Sequence, residues 1–364
     1  MRLSVVMLGW LLLAAGAQGQ TLEVAGYGKN LTISSRLPED NEAFLLNLSR
    51  IRAEAQRSVK RNVRLQVWLD TEILTGSFLQ TELYEESRRD TTQRWIDLDW
   101  TVARSKSVEV RQRLFRAFAT VEAGPTTWTL GHQRIAWGTG FAWNPTDLLN
   151  PFNPGAIELA ERAGIDAVHT SVALGTLSRV EAVVAATGPS GGVQYAGRAG
   201  TNWREYDVSL MAGVFGDRRA IGGDFVGYIG GAGVRGEGAW IDPEAGISYV
   251  RAVLNADYTF QPGVYALAEV YFNGLKSVAT GEAFGLGRWY AAFTLSAPIA
   301  PLAGLSAYGL VNVSDGSALC GPAITVSLTQ ELELQAAAYL FAGTRHSEFG
   351  RRRHAVFAAL QWYY

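Results

Sequence analysis

Four histidines, one cysteine and a scatter of serines and carboxylates are the residues from which this chain would have to build a reaction centre. His132, His169, His346 and His354 show no metal-ligand spacing. Cys320 stands alone, so it closes no internal disulfide, and no C-x-x-C-H stretch marks a covalent haem. His169 and Ser171 fall on one face of an alternating segment, as a base and its nucleophile would, yet nothing beside them completes a triad. Asp147 has no base-and-nucleophile pair near it. The glycine-rich run "GYIGGAGVRGEG" (227–238) does not open a helix after a strand, as a phosphate-binding loop must. We therefore assign no catalytic residue, no metal ligand and no cofactor, and expect no enzyme.

Two other groups of residues stand out. The first is "WNPTDLLNPFNP", Trp143 to Pro154, which repeats Asn-Pro three times. Proline fixes φ and pushes the preceding residue out of the helical region, so this stretch is stiff. Its polar and aromatic side chains are Trp143, Asn144, Asp147, Asn150 and Asn153, with Glu158 a little further on. Arg134 and Trp137 stand at its base; Arg134 is placed to pair with Asp147 or Glu158, or to meet a lipid phosphate. The second group is charged residues set inside alternating segments: Arg64, Arg116, Glu122, Arg251, Asp257 and Glu269.

The elements that position them follow from the period. "VRLQVWLD" puts Val63, Leu65, Val67 and Leu69 on one face and Arg64, Gln66, Trp68 and Asp70 on the other. "YVRAVLNADYTF" and "ELELQAAAYL" alternate in the same way, which is the pattern of a strand with one apolar and one polar face. Eighteen such segments are expected between residues 22 and 364. Tight links such as 122–127, 174–178 and 260–264 alternate with long ones at 71–108, 137–164, 274–286 and 343–352.

The fold expected is all-β: a closed antiparallel transmembrane β-barrel of 16–18 strands, 18 favoured, with short periplasmic turns and longer extracellular loops. A soluble sandwich would alternate similarly. The barrel accounts better for apolar faces free of charge, mid-strand charges on the opposite faces, and aromatics gathered at segment ends, as in Trp289–Tyr290 and Trp362–Tyr364. Closure also removes the exposed edges that so many strands would present. Residues 1–19 read as a signal peptide, with Arg2 before an apolar run from Leu3 to Ala15 and small residues after it. Residues 20–364 are then the barrel, and 137–164 a loop that either packs as a corner or folds into the lumen to narrow it. A formal net charge of −2 gives no support for a nucleic-acid partner.

The C-terminal "AVFAALQWYY" resembles the terminal strand by which bacterial outer-membrane barrels are read by the barrel-assembly machinery. The segment "LGHQRIAWGTGFAWNPTDLLNPFNP" (130–154), with "GGDFVGYIGGAGVRGEGAW" (222–240) behind it, resembles a group of porin-like outer-membrane proteins of Gram-negative bacteria. That resemblance implies the outer membrane as location and passive diffusion of small hydrophilic solutes through a water-filled lumen as function, with a homo-trimer as one assembly. Arg64, Arg116, Glu122, Arg251, Asp257 and Glu269 are then pore-lining, and the Asn-Pro loop a constriction. The "RRRH" stretch (351–354) falls at the extracellular end, where it either meets lipopolysaccharide phosphates or is a solvated basic rim. An outer-membrane sleeve that holds a partner protein or polysaccharide is the alternative, and a lipase or protease barrel the third reading.

Overall fold

The computed structural model describes residues 22–38, 41–89, 95, 98–149, 164–186, 192–275 and 287–364. The expected signal peptide, residues 1–19, lies outside them. Nineteen strands form one sheet. They are β1 (Leu22–Arg36), β2 (Ala43–Lys60), β3 (Val63–Thr75), β4 (Asp99–Arg104), β5 (Val108–Ala123), β6 (Thr126–Gln133) and β7 (Ile165–Ala173). Then come β8 (Arg179–Ala186), β9 (Val193–Trp203), β10 (Tyr206–Phe215), β11 (Arg218–Ile229), β12 (Ala232–Pro243) and β13 (Tyr249–Phe260). The chain finishes with β14 (Val264–Asn273), β15 (Trp289–Ala300), β16 (Ala303–Asn312), β17 (Ser317–Ser327), β18 (Leu332–Ala342) and β19 (Ala355–Tyr363).

Every neighbour pair is antiparallel, and β1 pairs with both β2 and β19, so the sheet closes on itself. Short β4 pairs only with β5, among the described residues, and fills the upper part of the stripe in which β6 is only eight residues long. Eighteen strands therefore make the circuit, the number favoured from the sequence. The expected link 71–108 is the one that changes most: β3 runs on to Thr75, and the connection holds a 3₁₀ turn (Ser77–Gln80), one helix, α1 (Glu82–Arg89), and β4.

Both chain ends described, Leu22 and Tyr364, lie at the same end of the barrel as the tight turns. Two of these turns show how closely the strands are joined. Gly230 and Gly231 have φ of 57° and 85°, and Arg204 and Glu205 have φ of 51° and 68°. Both are two-residue links with positive φ at both positions, the geometry whose twist matches that of the flanking strands. The opposite end is less uniform than the sequence suggested. Beside long connections it has short ones at 216–217, 244–248 and 313–316.

The alternation sorts two surfaces. Ile51, Val184, Leu210, Ile221, Leu254 and Val356 stand exposed on the outside. The packed core is inside the barrel, in three clusters. One is built around Ile135, Trp137 and Leu149, one around Trp143, Tyr290 and Phe349, and one around Leu48, Leu79 and Tyr84. In each, residues from loops meet residues from the wall, so the lumen is partly filled by the chain's own connections.

Candidate functional site

After β6 the chain leaves the wall and crosses the interior. Trp137, 3% exposed, donates its indole N–H to Glu181 Oε2 on β8 at 3.0 Å. The next residues reach β12, where the Thr139 and Gly140 N–H groups donate to Glu237 Oε2 at 2.7 and 3.2 Å. The chain goes on to β14. There Phe141 N–H donates to Glu269 Oε2 at 2.6 Å, and Ala142 and Trp143 N–H donate to Glu269 Oε1 at 2.9 and 3.0 Å. It then turns back: the Thr146 N–H and hydroxyl donate to Glu237 Oε1 at 2.5 and 2.8 Å. Residues 134–149 thus form a strap along the inner wall, clasped by two glutamates.

The clasp answers two needs at once. A carboxylate at 1–5% exposure is costly unless its lone pairs are filled, and Glu237 and Glu269 each accept four hydrogen bonds. A strap with no sheet partner has N–H groups that need acceptors, and the same bonds supply them. Asn255 Nδ2, from β13, completes the set on Glu269 at 2.9 Å. Gly140 makes the tight return possible, because a Cβ there would lie 1.8 Å from the Trp143 carbonyl oxygen.

The strap is also packed. The Trp143 ring stacks on Tyr271 with centroids 5.0 Å apart and planes 5° from parallel, and lies 5.4 Å from Tyr290. Tyr290 donates its hydroxyl to Glu348 Oε2 at 2.5 Å, and Asn312 Nδ2 donates to the same oxygen at 2.7 Å. Phe349, fully buried, belongs to the same cluster. The 343–354 connection is therefore tied through Tyr290 to the strap.

A second insertion faces the other side of the lumen. Leu79 and Tyr84 pack against Leu31, Ile33, Leu48, Leu74 and Ala359. Thr81 Oγ1 accepts the Tyr84 N–H at 3.2 Å, and Glu82 and Glu85 lie in the first turn of α1, both favourable at a helix start. Tyr84 donates to Glu109 Oε2 on β5 at 3.0 Å. Burial first, and the Glu109 acceptor second, push the Tyr84 phenol up to about 12. Beside this insertion runs an arginine-rich wall. Arg52 meets Asp70 with two bonds of 2.6 Å, and Arg50 meets Glu72 at 2.7 Å. The Arg52 guanidinium lies 3.8 Å from the Phe115 ring centroid, and that of Arg116 lies 4.8 Å from Trp68.

The sequence-derived residues are distributed as follows. Arg64, Arg116, Glu122, Arg251, Asp257 and Glu269 all fall on the inward face of their strands, by the alternation of burial along each. Glu269 differs in role: it is 1% exposed and occupied by the strap, so it anchors rather than lines. Asp257 accepts from Arg235 on β12, and Arg64 and Glu122 are exposed near the tight turns. In the loop, Trp143 and Asp147 are buried at 7% and 2%, and Asn144 is half-buried with its Nδ2 unpartnered among the described residues. The expected presentation of these side chains to the channel is thus corrected. The large ring buries apolar area against Tyr271, and Phe141, at 37% exposure and edge-on to Tyr308 with centroids 6.0 Å apart, is the most open of the strap's aromatic rings. Asn150, Asn153 and Glu158 lie outside the described residues. Arg134 is exposed and forms no ion pair with Asp147. His169 meets Glu181 at 3.2 Å across the strand pair, and not Ser171.

Glu237, Glu181 and the whole 76–89 insertion escaped the sequence reading. Glu237 carried a signal nonetheless: in "GVRGEGAW" it is a lone carboxylate on the inward phase of a strand.

No protein-family model and no curated protein matches the sequence. Solved structures do resemble it in shape. The outer membrane protein OprD of Pseudomonas aeruginosa aligns with a TM-score of 0.61 at 10% identity, over 96% of this chain and 95% of that one. OccK5 (OpdH) of the same organism gives 0.61 at 8%, over 94% and 97%. OccAB2 of Acinetobacter baumannii gives 0.61 at 8%, over 94% and 98%. These likenesses establish the fold. At such identities the barrel is shared over nearly its full length while the residues are not.

Proposed function

We propose that this protein is an outer-membrane channel through which small hydrophilic solutes diffuse passively, narrowed by the 134–149 strap and the 76–89 insertion. The observation that carries the reading is the double clasp: Glu237 and Glu269 hold main-chain N–H groups of the strap inside a closed barrel. A structural plug would serve as well with apolar packing alone. A strap held along one wall, by polar bonds, leaves a lumen whose other side is set with arginines. A barrel of this strand number is wide enough for an aqueous channel. The apolar exterior fits a lipid surround, and the shared fold with OprD supports the outer membrane as its place.

The reading is tested by single-channel recording of the refolded protein in planar bilayers. Discrete open steps are expected, and larger ones after residues 138–147 are replaced by a short Gly-Ser linker. A barrel that passes no current in either form would overturn the channel and favour the sleeve, the more so with a partner copurifying in the lumen.

A further inference from the structure

The outer wall is not uniform. From β8 to β19, away from the two residues at each strand end, no outward position carries an amide or a charge; they hold residues such as Val184, Leu210, Leu254, Leu295 and Leu340. On β1 and β2 the outward positions include Asn30, Thr32, Ser34, Asn47 and Ser49. Asn30 and Asn47 exchange amide bonds at 3.0 Å each way, and reach Ser49 and Thr32 at 2.8 Å. This seam is within the apolar band. Along β2, exposed Leu45 and Ile51 flank Asn47 and Ser49, and Asn30 lies one outward position above Gly28, the partner of Trp362. Beyond the seam, Gln112 on β5 donates its side-chain amide to Thr71 on β3 at 3.4 Å, also at outward positions. Polar groups facing hydrocarbon are costly, so a cluster of five on β1 and β2 calls for a reason.

The rim above the same sector is basic. Arg36 ends β1, and Arg345, Arg351 and Arg353 belong to the connection between β18 and β19; all four are exposed. Arg353 Nη2 donates to the Pro38 carbonyl at 3.2 Å and Arg36 Nη1 to that of Asn41 at 3.1 Å, so both lean on the hairpin between β1 and β2. Ser35 Oγ ties β1 to the His354 carbonyl at 2.8 Å. None of the four makes an ion pair with a carboxylate among the described residues. Glu348, in the same loop, is buried and committed to Tyr290 and Asn312. The hairpin itself carries Glu42, and by sequence Glu39 and Asp40 outside the described residues.

We infer that the outer wall over β18, β19, β1 and β2 binds a phosphorylated glycolipid of the lipopolysaccharide kind. Its phosphates meet Arg351, Arg353 and Arg36, and the amide and hydroxyl groups at the head of its acyl chains meet Ser34, Thr32 and Asn47. Paired guanidinium donors suit phosphate. Ser34 and Thr32 lie about 7 and 13 Å along the strand from Arg36, or about 5 and 10 Å in depth at a strand tilt of about 40°. That is the layer in which such a lipid keeps its amides and hydroxyls. A second copy of this chain fits less well. Two rims meeting at this sector would bring arginine against arginine, a like-charge contact that costs affinity.

The inference rests on the membrane reading above, and its test counts lipid rather than current, so the two fail separately. Detergent-purified protein is incubated with rough-type lipopolysaccharide and bound copies are counted by native mass spectrometry. Three forms are compared: wild type, Arg351→Ala with Arg353→Ala, and Asn30→Leu with Asn47→Leu. Gel mobility before and after heating reports folding in each. Binding by the rim variant is expected to be about tenfold weaker, and dephosphorylated lipid should bind wild type as weakly. The seam variant should fold and lose several-fold; if it does not fold, the rim variant alone decides. Unchanged binding in the rim variant, or equal competition by inorganic phosphate, overturns the proposal. So does the loss of a dimer or trimer in the seam variant with glycolipid binding intact, which would assign the sector to self-association.

Discussion

Replacing Glu269 by Gln keeps the side-chain shape and turns one of its oxygens into an NH₂ group. Each oxygen of Glu269 now serves two donors: Oε1 takes Ala142 and Trp143, and Oε2 takes Phe141 and Asn255. Whichever oxygen is lost, two donors face a donor. Hydrogen bonds to a charged acceptor contribute about 1.5–3 kcal/mol each, and with the NH₂ turned toward Phe141 and the wall residue Asn255 only one strap bond is lost, so the substitution removes about 1.5–3 kcal/mol of hold on the strap. At a factor of ten per 1.4 kcal/mol, the released population rises on the order of 10–10²-fold. Burial of Trp143 against Tyr271 still opposes release with about 1.5–3 kcal/mol, so the decisive form is Glu237→Gln together with Glu269→Gln. The assay uses Ala142→Cys in a Cys320→Ser background, because Ala142 is 1% exposed beneath the clasp. Its labelling by a membrane-impermeant maleimide should speed up at least about hundredfold in the double variant. Single-channel conductance should rise with it. The sheet's own hydrogen bonds are untouched, so the heating temperature that unfolds the barrel should change little. If labelling and conductance both stay at the wild-type level, the clasp does not hold the strap and the reasoning is wrong.

Gly140→Ala should release the strap without touching a charge, since its Cβ would collide with the Trp143 carbonyl; conductance is the readout, and a wild-type value would show that the return relaxes. Arg52→Ala leaves Asp70, now bonded twice at 2.6 Å, buried beside only the more distant Arg50. A loss of about 3–5 kcal/mol is expected, seen as a lower unfolding temperature on heated gels. The Tyr84 phenol should stay protonated to about pH 12, and Tyr84→Phe should remove one late step from the ultraviolet titration of tyrosinate. Because its folded value lies above the unfolded one near 10, its stabilising contribution is complete below about pH 10 and is lost as the pH climbs toward 12.

The barrel was legible because its signal is local. "YVRAVLNADYTF" alternates without interruption, and the structure keeps each of those residues on the face the alternation assigned. The tight links at 174–178 and 260–264 gave the hairpins directly. What was not legible was how connections use the lumen. Residues 76–89 have no alternation, and nothing local in "SFLQTELYEESRR" says that Leu79 and Tyr84 will pack on Leu48 and Leu74. The Asn-Pro run announced stiffness but not direction. Its side chains looked like a polar lining, yet Trp143 gained more by stacking on the wall, which turned Asp147 inward with it. Glu237 was hard to see for a related reason. Its partners are peptide N–H groups about ninety residues away, and main chain leaves no residue-type signature.

That last property carries a practical consequence. Glu237 and Glu269 grip the peptide backbone, which every residue but proline offers alike. The identity of the exposed side chain at Phe141 is therefore uncoupled from the bonds that seat it. Exchanging that ring for a hydroxyl, a carboxylate or an ammonium would recolour the passage while its mounting stays put. The scaffold offers a fixed frame with an interchangeable lens.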